Sequence, residues 1–280
     1  IGHLNAPTGS DSYTFNFDWQ APNVSTGDIT FYLACVAANS NNNTMGDMGA
    51  ASTLSISEAA VNTALVAKVK VLLAGPYAGS GMMSTDLPSL APSGHPYSGS
   101  PWLYSGSEPN SNLPTNISDW VLLELRDAND ASIVIDSKAA WLRNDGIIVS
   151  TDNSEGVQFD NASAGNYHIV VRHRNHLDII SNTAVSLPNS NTYDFSQGVS
   201  MAMGTAQQID LGDGNYGLRA GDINGDGVIT VSDFNVYITE VAAINMYLAS
   251  DNSMDGNVTV ADFNLYRPNV SIIGVDVVRY

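Results

Sequence analysis

Residues 13–19, YTFNFDW, alternate strictly: Tyr13, Phe15, Phe17 and Trp19 share one face, and Thr14, Asn16 and Asp18 the other. A period of two with aromatics on one side predicts a half-buried β-strand. DITFYLACVA (28–37) and STLSIS (52–57) read as two further strands. A sandwich needs about seven strands, and about 60 residues without disulfides make a marginal unit. The pattern therefore predicts a partial β domain over 1–57 and a linker over 58–66.

Apolar alternation resumes at AKVKVLLAGPY (67–77) and DWVLLELRD (119–127), then SIVIDSKAAWL (132–142), GIIVST (146–151), VQFDN (157–161) and NYHIVVRHRN (166–175). Asn144-Asp145-Gly146 between two apolar runs is a hairpin signal. Short strands at this spacing predict an antiparallel sandwich over 67–210. The Gly/Ser/Pro-rich stretch inside it carries Tyr77, Tyr97, Trp102 and Tyr104. Those aromatics predict anchors for a long insertion or, alternatively, a sugar-stacking surface. RHRNH (172–176) offers a strand end with Arg–carboxylate pairs, a ligand surface, or a metal site through His173 and His176. Alternation puts those two histidines on opposite faces unless the strand stops between them.

The pattern changes at GDINGDGVITVSDFNVY (221–237). Asp222, Asn224, Asp226, Gly227 and Asp233 recur 29 residues later as Asp251, Ser253, Asp255, Gly256 and Asp262, and each set is followed by a DFN-x-Tyr run. Calcium takes six to eight oxygens from loop positions 1, 3, 5, 7 and 12, with glycine at 6 for the turn. The predicted ligands are thus Asp222, Asn224, Asp226, the Val228 carbonyl and Asp233, then Asp251, Ser253, Asp255, the Asn257 carbonyl and Asp262, for two Ca2+ ions. Position 8 is apolar in both loops (Ile229, Val258), which predicts a short strand pairing them. No helical pattern precedes Asp222, so a sensor that opens a helix pair is not expected. SIIGVDVVRY (271–280) reads as a free, β-prone segment.

Composition narrows the function classes. The 280 residues carry a net charge of −18 with a pI near 4.2, so no basic patch is available for nucleic acid or an anionic membrane surface. Cys35 is the only cysteine, which leaves burial and metal to hold the fold. No apolar run is long enough to span a bilayer. The start at Ile1 without a signal segment predicts a mature or incomplete product. Sequons at Asn23, Asn42, Asn116, Asn161, Asn257 and Asn269 leave glycosylation open. No Gly-x-Ser-x-Gly elbow, phosphate loop or His-Glu-x-x-His is present, so an enzyme is not expected.

DWQAP (18–22), TFYLA (30–34) and NNTMGD (42–47) resemble the C-terminal half of a Reeler-type domain. The run GVQFDNASAGNYHIVV (156–171) resembles the core hairpin of prealbumin-like sandwiches. With DWVLLELRD and VVRHRNH it is similar to a domain of Bacteroidota surface proteins exported by the type IX system. The loop pair over 219–270 resembles type I dockerin repeats, in which a loop precedes each helix. Positions 10 and 11, however, are Val231-Ser232 and Val260-Ala261, not the family's usual Ser/Thr-type pair, and Pro268 cuts the second helix. The expected fold is mainly β: tandem antiparallel β-sandwich domains followed by a small α-helical dockerin-like calcium module. The resemblances imply an extracellular or cell-surface location. The leading expectation is a structural filament subunit that self-associates, donating residues 271–280 as a strand to a neighbour's partial domain. The alternative is a dockerin-bearing protein docking to a cohesin, or contacting a surface glycan.

Overall fold

A computed structural model describes residues 18–20, 27–37, 42–57, 65–110 and 113–280. The chain divides into two units, Ile1–Thr63 and Ala64–Tyr280. In the first, β1 (Ile29–Ala37) and β2 (Met48–Ile56) form an antiparallel hairpin in register from Ile29↔Ile56 to Ala37↔Met48. Its side chains are largely exposed, Tyr32 at 83%. The strand expected at 13–19 lies outside the described residues apart from Asp18 and Trp19, and the Trp19 ring meets Phe31 edge-on at 5.3 Å.

The second unit is mainly β and sandwich-type. Its strands are β3 (Leu65–Ala67), β4 (Val69–Lys70), β5 (Tyr77–Gly79), β6 (Met82–Met83), β7 (Ile117–Asp127), β8 (Val134–Arg143), β9 (Ile148–Val149) and β10 (Val157–Phe159). They continue as β11 (Gly165–Arg172), β12 (Ile179–Ile180), β13 (Val185–Leu187), β14 (Tyr193–Asp194), β15 (Gln208–Asp210) and β16 (Tyr216–Leu218). The main sheet runs β12-β11-β7-β8-β9, with β13 also beside β11. Smaller pairs, β3–β10, β4–β14 and β15–β16, supply the opposing cover. The expected all-antiparallel pairing is corrected: Tyr193 and Asp194 run parallel to Val69 and Lys70, and the Leu73↔Leu218 and Val149↔Gly156 bridges are parallel too.

β7 is buried on both faces, which explains its nearly unbroken apolar run. Val121, Leu123 and Leu125 join Ile169, Val171, Leu65, Val69 and Phe159 in the main core. Trp120 and Leu122 face the other way, against Trp141 and Tyr97. The aromatic insertion is an anchor here: Tyr97 is fully buried, and its hydroxyl donates to the Trp120 carbonyl (2.9 Å).

After β16 come two loop–helix segments, with α1 at Val231–Glu240 and α2 at Val260–Tyr266. Each helix starts at a threonine N-cap, Thr230 or Thr259, and each closes a capping box with the aspartate at its third position. That box satisfies amides a helix start otherwise leaves unpaired. α2 stops into a single 3-10 turn, Arg267–Asn269, where Pro268 has no N–H to continue the ladder. No helix of the described residues is long and apolar enough to cross a membrane.

Candidate metal centre

The two loops adopt the same local backbone. Gly227 and Gly256, at position 6, both have φ +83°, a left-handed turn that a β-carbon would strain. The aspartates fold inward onto backbone amides. Asp222 Oδ2 accepts from Gly227 N–H (3.0 Å), Asp226 Oδ1 from Val228 N–H (2.9 Å), and Asp233 Oδ1 from Ile223 and Asn224 N–H (2.7 and 3.1 Å). The repeat does the same: Asp251 Oδ2 accepts from Gly256 N–H (2.8 Å), Asp255 Oδ1 from Asn257 N–H (2.8 Å), and Asp262 Oδ1 from Ser253 N–H (2.8 Å). Asp222, Asp233, Asp251 and Asp262 are all buried. No ion pair among the described residues reaches any of the loop aspartates.

One difference separates the loops. Asp251 Oδ1 also receives Ser253 Oγ–H (3.2 Å), Met254 N–H (2.8 Å) and Asp255 N–H (3.2 Å). Asp222 Oδ1 is buried with no hydrogen-bond partner; the Asn224 side-chain amide donates instead to Asp226 Oδ2 (3.0 Å), and the Asp226 N–H to Asn224 Oδ1 (3.0 Å). Burial, then neighbouring Asp178, Asp233 and Asp226, push the Asp222 carboxyl well above the usual carboxylate range. Asp251 is pushed up by burial to about 6, with Arg174 opposing. Among the described residues, no three His, Cys, Asp or Glu side chains already converge as a metal-holding group. What the loops present is a set of carboxylate, amide, hydroxyl and carbonyl oxygens, some buried without counter-charge. That donor chemistry suits a hard divalent cation.

Position 8 does not pair the loops with each other, contrary to the sequence expectation. Ile229 exchanges backbone hydrogen bonds with Ile272 and Ser271 (2.9 and 2.8 Å), and Val258 with Ala243 and Ala242 (2.9 and 2.8 Å). The bridges are Val228↔Ile273 and Ile244↔Asn257. The 29-residue offset relates these pairs crosswise: the tail after each helix closes the other repeat's loop. Ala242 and Ser271, the matching tail residues, share left-handed φ values of 73° and 75°. The tyrosines that end the two DFN-x-Tyr runs cross over as well, Tyr237 OH to the Thr259 carbonyl (3.0 Å) and Tyr266 OH to the Thr230 carbonyl (2.8 Å). A local two-fold exchange thus explains why the echo includes the helices.

Residues 271–280 are therefore not a free strand, and that expectation is corrected. Gly274 N–H donates to the Gly227 carbonyl (2.9 Å) and Tyr280 N–H to the Asp226 carbonyl (3.3 Å). Asp276–Val278 form a 3-10 turn, and buried Val278 packs with Val170 and Ile180 of the main sheet. Its carbonyl accepts from Arg172 Nη1 (2.8 Å).

RHRNH seats the second loop. β11 ends at Arg172, so His173 and His176 fall on one side and touch (Nδ1···Nδ1 3.2 Å). Asn175 Nδ2 donates to the Ala249 and Asp251 carbonyls (2.9 and 2.7 Å), and Arg174 Nη1 donates to the Leu248 carbonyl. Arg174 Nε also donates to Asp119 Oδ2 (2.9 Å), where Tyr247 OH meets Oδ1 (2.6 Å). Burial pushes Asp119 up, but Arg174, His173 and the Tyr247 hydroxyl hold it at about 2. His176 Nε2 accepts from Gly75 N–H (3.1 Å), so its proton sits on Nδ1, facing Asn175 Oδ1 (2.7 Å). Burial, then His173 and Arg174, push its pKa well below the ordinary value. This clasp has no sequence-local signal beyond the clustered charges, because Asp119, Gly75 and Leu248 lie far along the chain.

No protein-family model matches the chain, and no curated protein matches it. Similar solved chains occur in two mutants of a type II Cohesin-X-Dockerin complex from Acetivibrio cellulolyticus. An N-terminal interface mutant matches at 11% identity over 74% of this chain and 97% of that one, with a TM-score of 0.37. A C-terminal interface mutant matches at 12% identity over the same shares, with a TM-score of 0.38. Likeness at this level assigns neither a family nor a partner.

Proposed function

We propose that this chain is an extracellular or cell-surface protein whose paired loops bind two calcium ions and thereby hold a protein-docking face on the β-sandwich unit. The observation that carries the reading is the buried, unpartnered Oδ1 of Asp222 in a loop whose donor pattern returns 29 residues later. Asp222, Asn224, Asp226, the Val228 carbonyl and Asp233 would hold one ion; Asp251, Ser253, Asp255, the Asn257 carbonyl and Asp262 would hold the other. Each supplies the positive charge that buried carboxylates otherwise lack.

The docking face is suggested by Val231 and Val260, the same position of each repeat, exposed at 65% and 68%. Ile238 on α1 adds to the exposed apolar surface of the module. A cohesin-type scaffold domain is the partner this reading expects. Filament assembly by strand donation is set aside, because residues 271–280 are bound within their own chain. Calcium titration calorimetry on the full chain tests the metal: two bound ions are expected, and none would overturn the reading. A pull-down with purified cohesin domains, with and without EDTA, tests the partner; capture independent of calcium would refute the coupling.

A further inference from the structure

Asn224-Gly225, at positions 3 and 4 of the first loop, is the only Asn-Gly pair in the chain. The fold requires its glycine: Gly225 has φ +72°, and a β-carbon there would lie 2.7 Å from the Trp102 ring. A glycine carries no β-carbon to shield its own nitrogen. Placed after an asparagine, that nitrogen can reach the asparagine's side-chain carbonyl carbon.

The repeat shows how this backbone amide is tied up elsewhere. In the second loop the position-4 N–H, from Met254, donates to Asp251 Oδ1 (2.8 Å), and position 3 is Ser253, which has no amide to lose. The first loop lacks that bond. Asp222 Oδ1 is buried without a partner, and the N–H of buried Gly225 makes no hydrogen bond among the described residues. The Asn224 side chain, meanwhile, is held at both ends of its amide: Oδ1 accepts from Asp226 N–H (3.0 Å), and Nδ2 donates to Asp226 Oδ2 (3.0 Å). A backbone N–H on a carbonyl oxygen stabilises the oxyanion that forms there under attack. Holding the amide beside an uncommitted nucleophile lowers the entropic cost of that attack.

We propose that Asn224 is a self-modification site, at which the Gly225 nitrogen attacks Asn224 Cγ to form a succinimide. The N–Cγ bond forms and the Cγ–Nδ2 bond breaks. The proton lost by Gly225 is passed on by Asp226 Oδ2 and leaves with Nδ2 as ammonia. Water then opens the ring to aspartate or isoaspartate. Isoaspartate adds a methylene to the main chain between positions 3 and 4. That displaces Asp226 and Gly227, whose carbonyls hold the Tyr280 and Gly274 amides, so the modified loop releases residues 271–280. The reaction uses no metal, and the proposal does not depend on the calcium reading.

The test is incubation of the full chain in EDTA at mildly alkaline pH, both in urea and at a temperature where circular dichroism shows it folded. Peptide mapping with isoaspartate detection follows. In the folded chain Asn224 is expected to lose its amide before any other asparagine, while Asn257, at position 7 of the second loop, keeps its own. Asp226→Ala should slow the conversion in the folded chain and leave it unchanged in urea, whereas a loop merely loosened by that substitution would convert faster. If Asp226→Ala does not fold, the folded and unfolded parent chains alone decide. Three results would each overturn the proposal: Asn224 intact in the folded chain once the unfolded chain has converted it, another asparagine converting first, or folded Asp226→Ala converting as fast as the parent or faster.

Discussion

The first loop and its repeat differ least in the residues that define them and most in what stands behind them. The second loop rests on a buried clasp, with Asn175 holding the Asp251 carbonyl and Arg174 tied to Asp119 and Leu248. The first is backed by the Trp102 ring, close enough that a β-carbon on Gly225 would sit 2.7 Å from it, and is closed by residues 271–280. Asp251 has both oxygens satisfied, whereas Asp222 has one left over. One donor pattern therefore sits in two states of preorganisation, and it is the surrounding fold that decides which.

Removing residues 271–280 should break this comparison most sharply. At least four backbone hydrogen bonds to the first loop would go, at about 1 kcal/mol each, with the burial of Val278 at roughly 2 kcal/mol more. Calorimetry should then report one bound calcium instead of two, with the survivor in the second loop; loss of the second site alone would reverse the assignment. If both loops hold calcium, EDTA should act on both. If each ion is present at 100 times its dissociation constant, chelation costs about 2.7 kcal/mol per site, which lowers the melting temperature by roughly 10 °C or more for a unit of this size. An unchanged melt would count against metal binding altogether.

Single substitutions separate the loops. Asp222→Ala and Asp251→Ala should each abolish one site, a loss of about 2.7 kcal/mol in saturating calcium, and Asp222→Ala should relieve part of its own cost in EDTA because it deletes the orphaned oxygen. Differential scanning calorimetry with and without chelator measures both. If Asp251→Ala gains more in EDTA than Asp222→Ala, the asymmetry described above is wrong.

Acid should act through the clasp behind the second loop. His176 and His173 are both held neutral by burial. Their folded pKa values lie below the unfolded value near 6.5, so below that pH the unfolded chain binds more protons. The histidines' contribution is then flat above about pH 6.5 and falls as pH drops, by up to about 1.4 kcal/mol per pH unit for each histidine. Without bound metal it is opposed over the same range by Asp178, Asp222 and Asp251, whose raised carboxyls take up protons in the folded chain. Replacing His176 with glutamine should flatten this slope in urea titrations between pH 7 and 5. The smallest effect is expected from Tyr237→Phe and Tyr266→Phe. Each loses one hydroxyl–carbonyl bond worth about 1 kcal/mol, and near-equal losses are what the two-fold exchange requires.

Much of the layout was legible along the chain, for identifiable reasons. The expected runs at 28–37 and 119–127 coincide with β1 and β7 to within one or two residues, whereas only the first seven residues of the 166–175 run lie in β11. The loop spacing marks where turn gives way to helix, because Thr230 and Thr259 carry the capping signal in place. What stayed hidden was pairing between distant segments. SIIGVDVVRY has strand-like composition, yet its partner is a loop over 40 residues earlier, at Gly227 to Ile229. Period-two reasoning put His173 and His176 on opposite faces unless the strand stopped between them; β11 stops earlier still, at Arg172, a boundary the alternation does not mark.

The crosswise closure of the repeats also sets an order in time. A chain emerging from a ribosome presents Ala242–Ile244 before the loop they close, so the second loop can shut as soon as its own residues appear. The first loop must wait until Ser271–Gly274 have been made, about forty residues after its glycine turn. The loop written first is thus completed last.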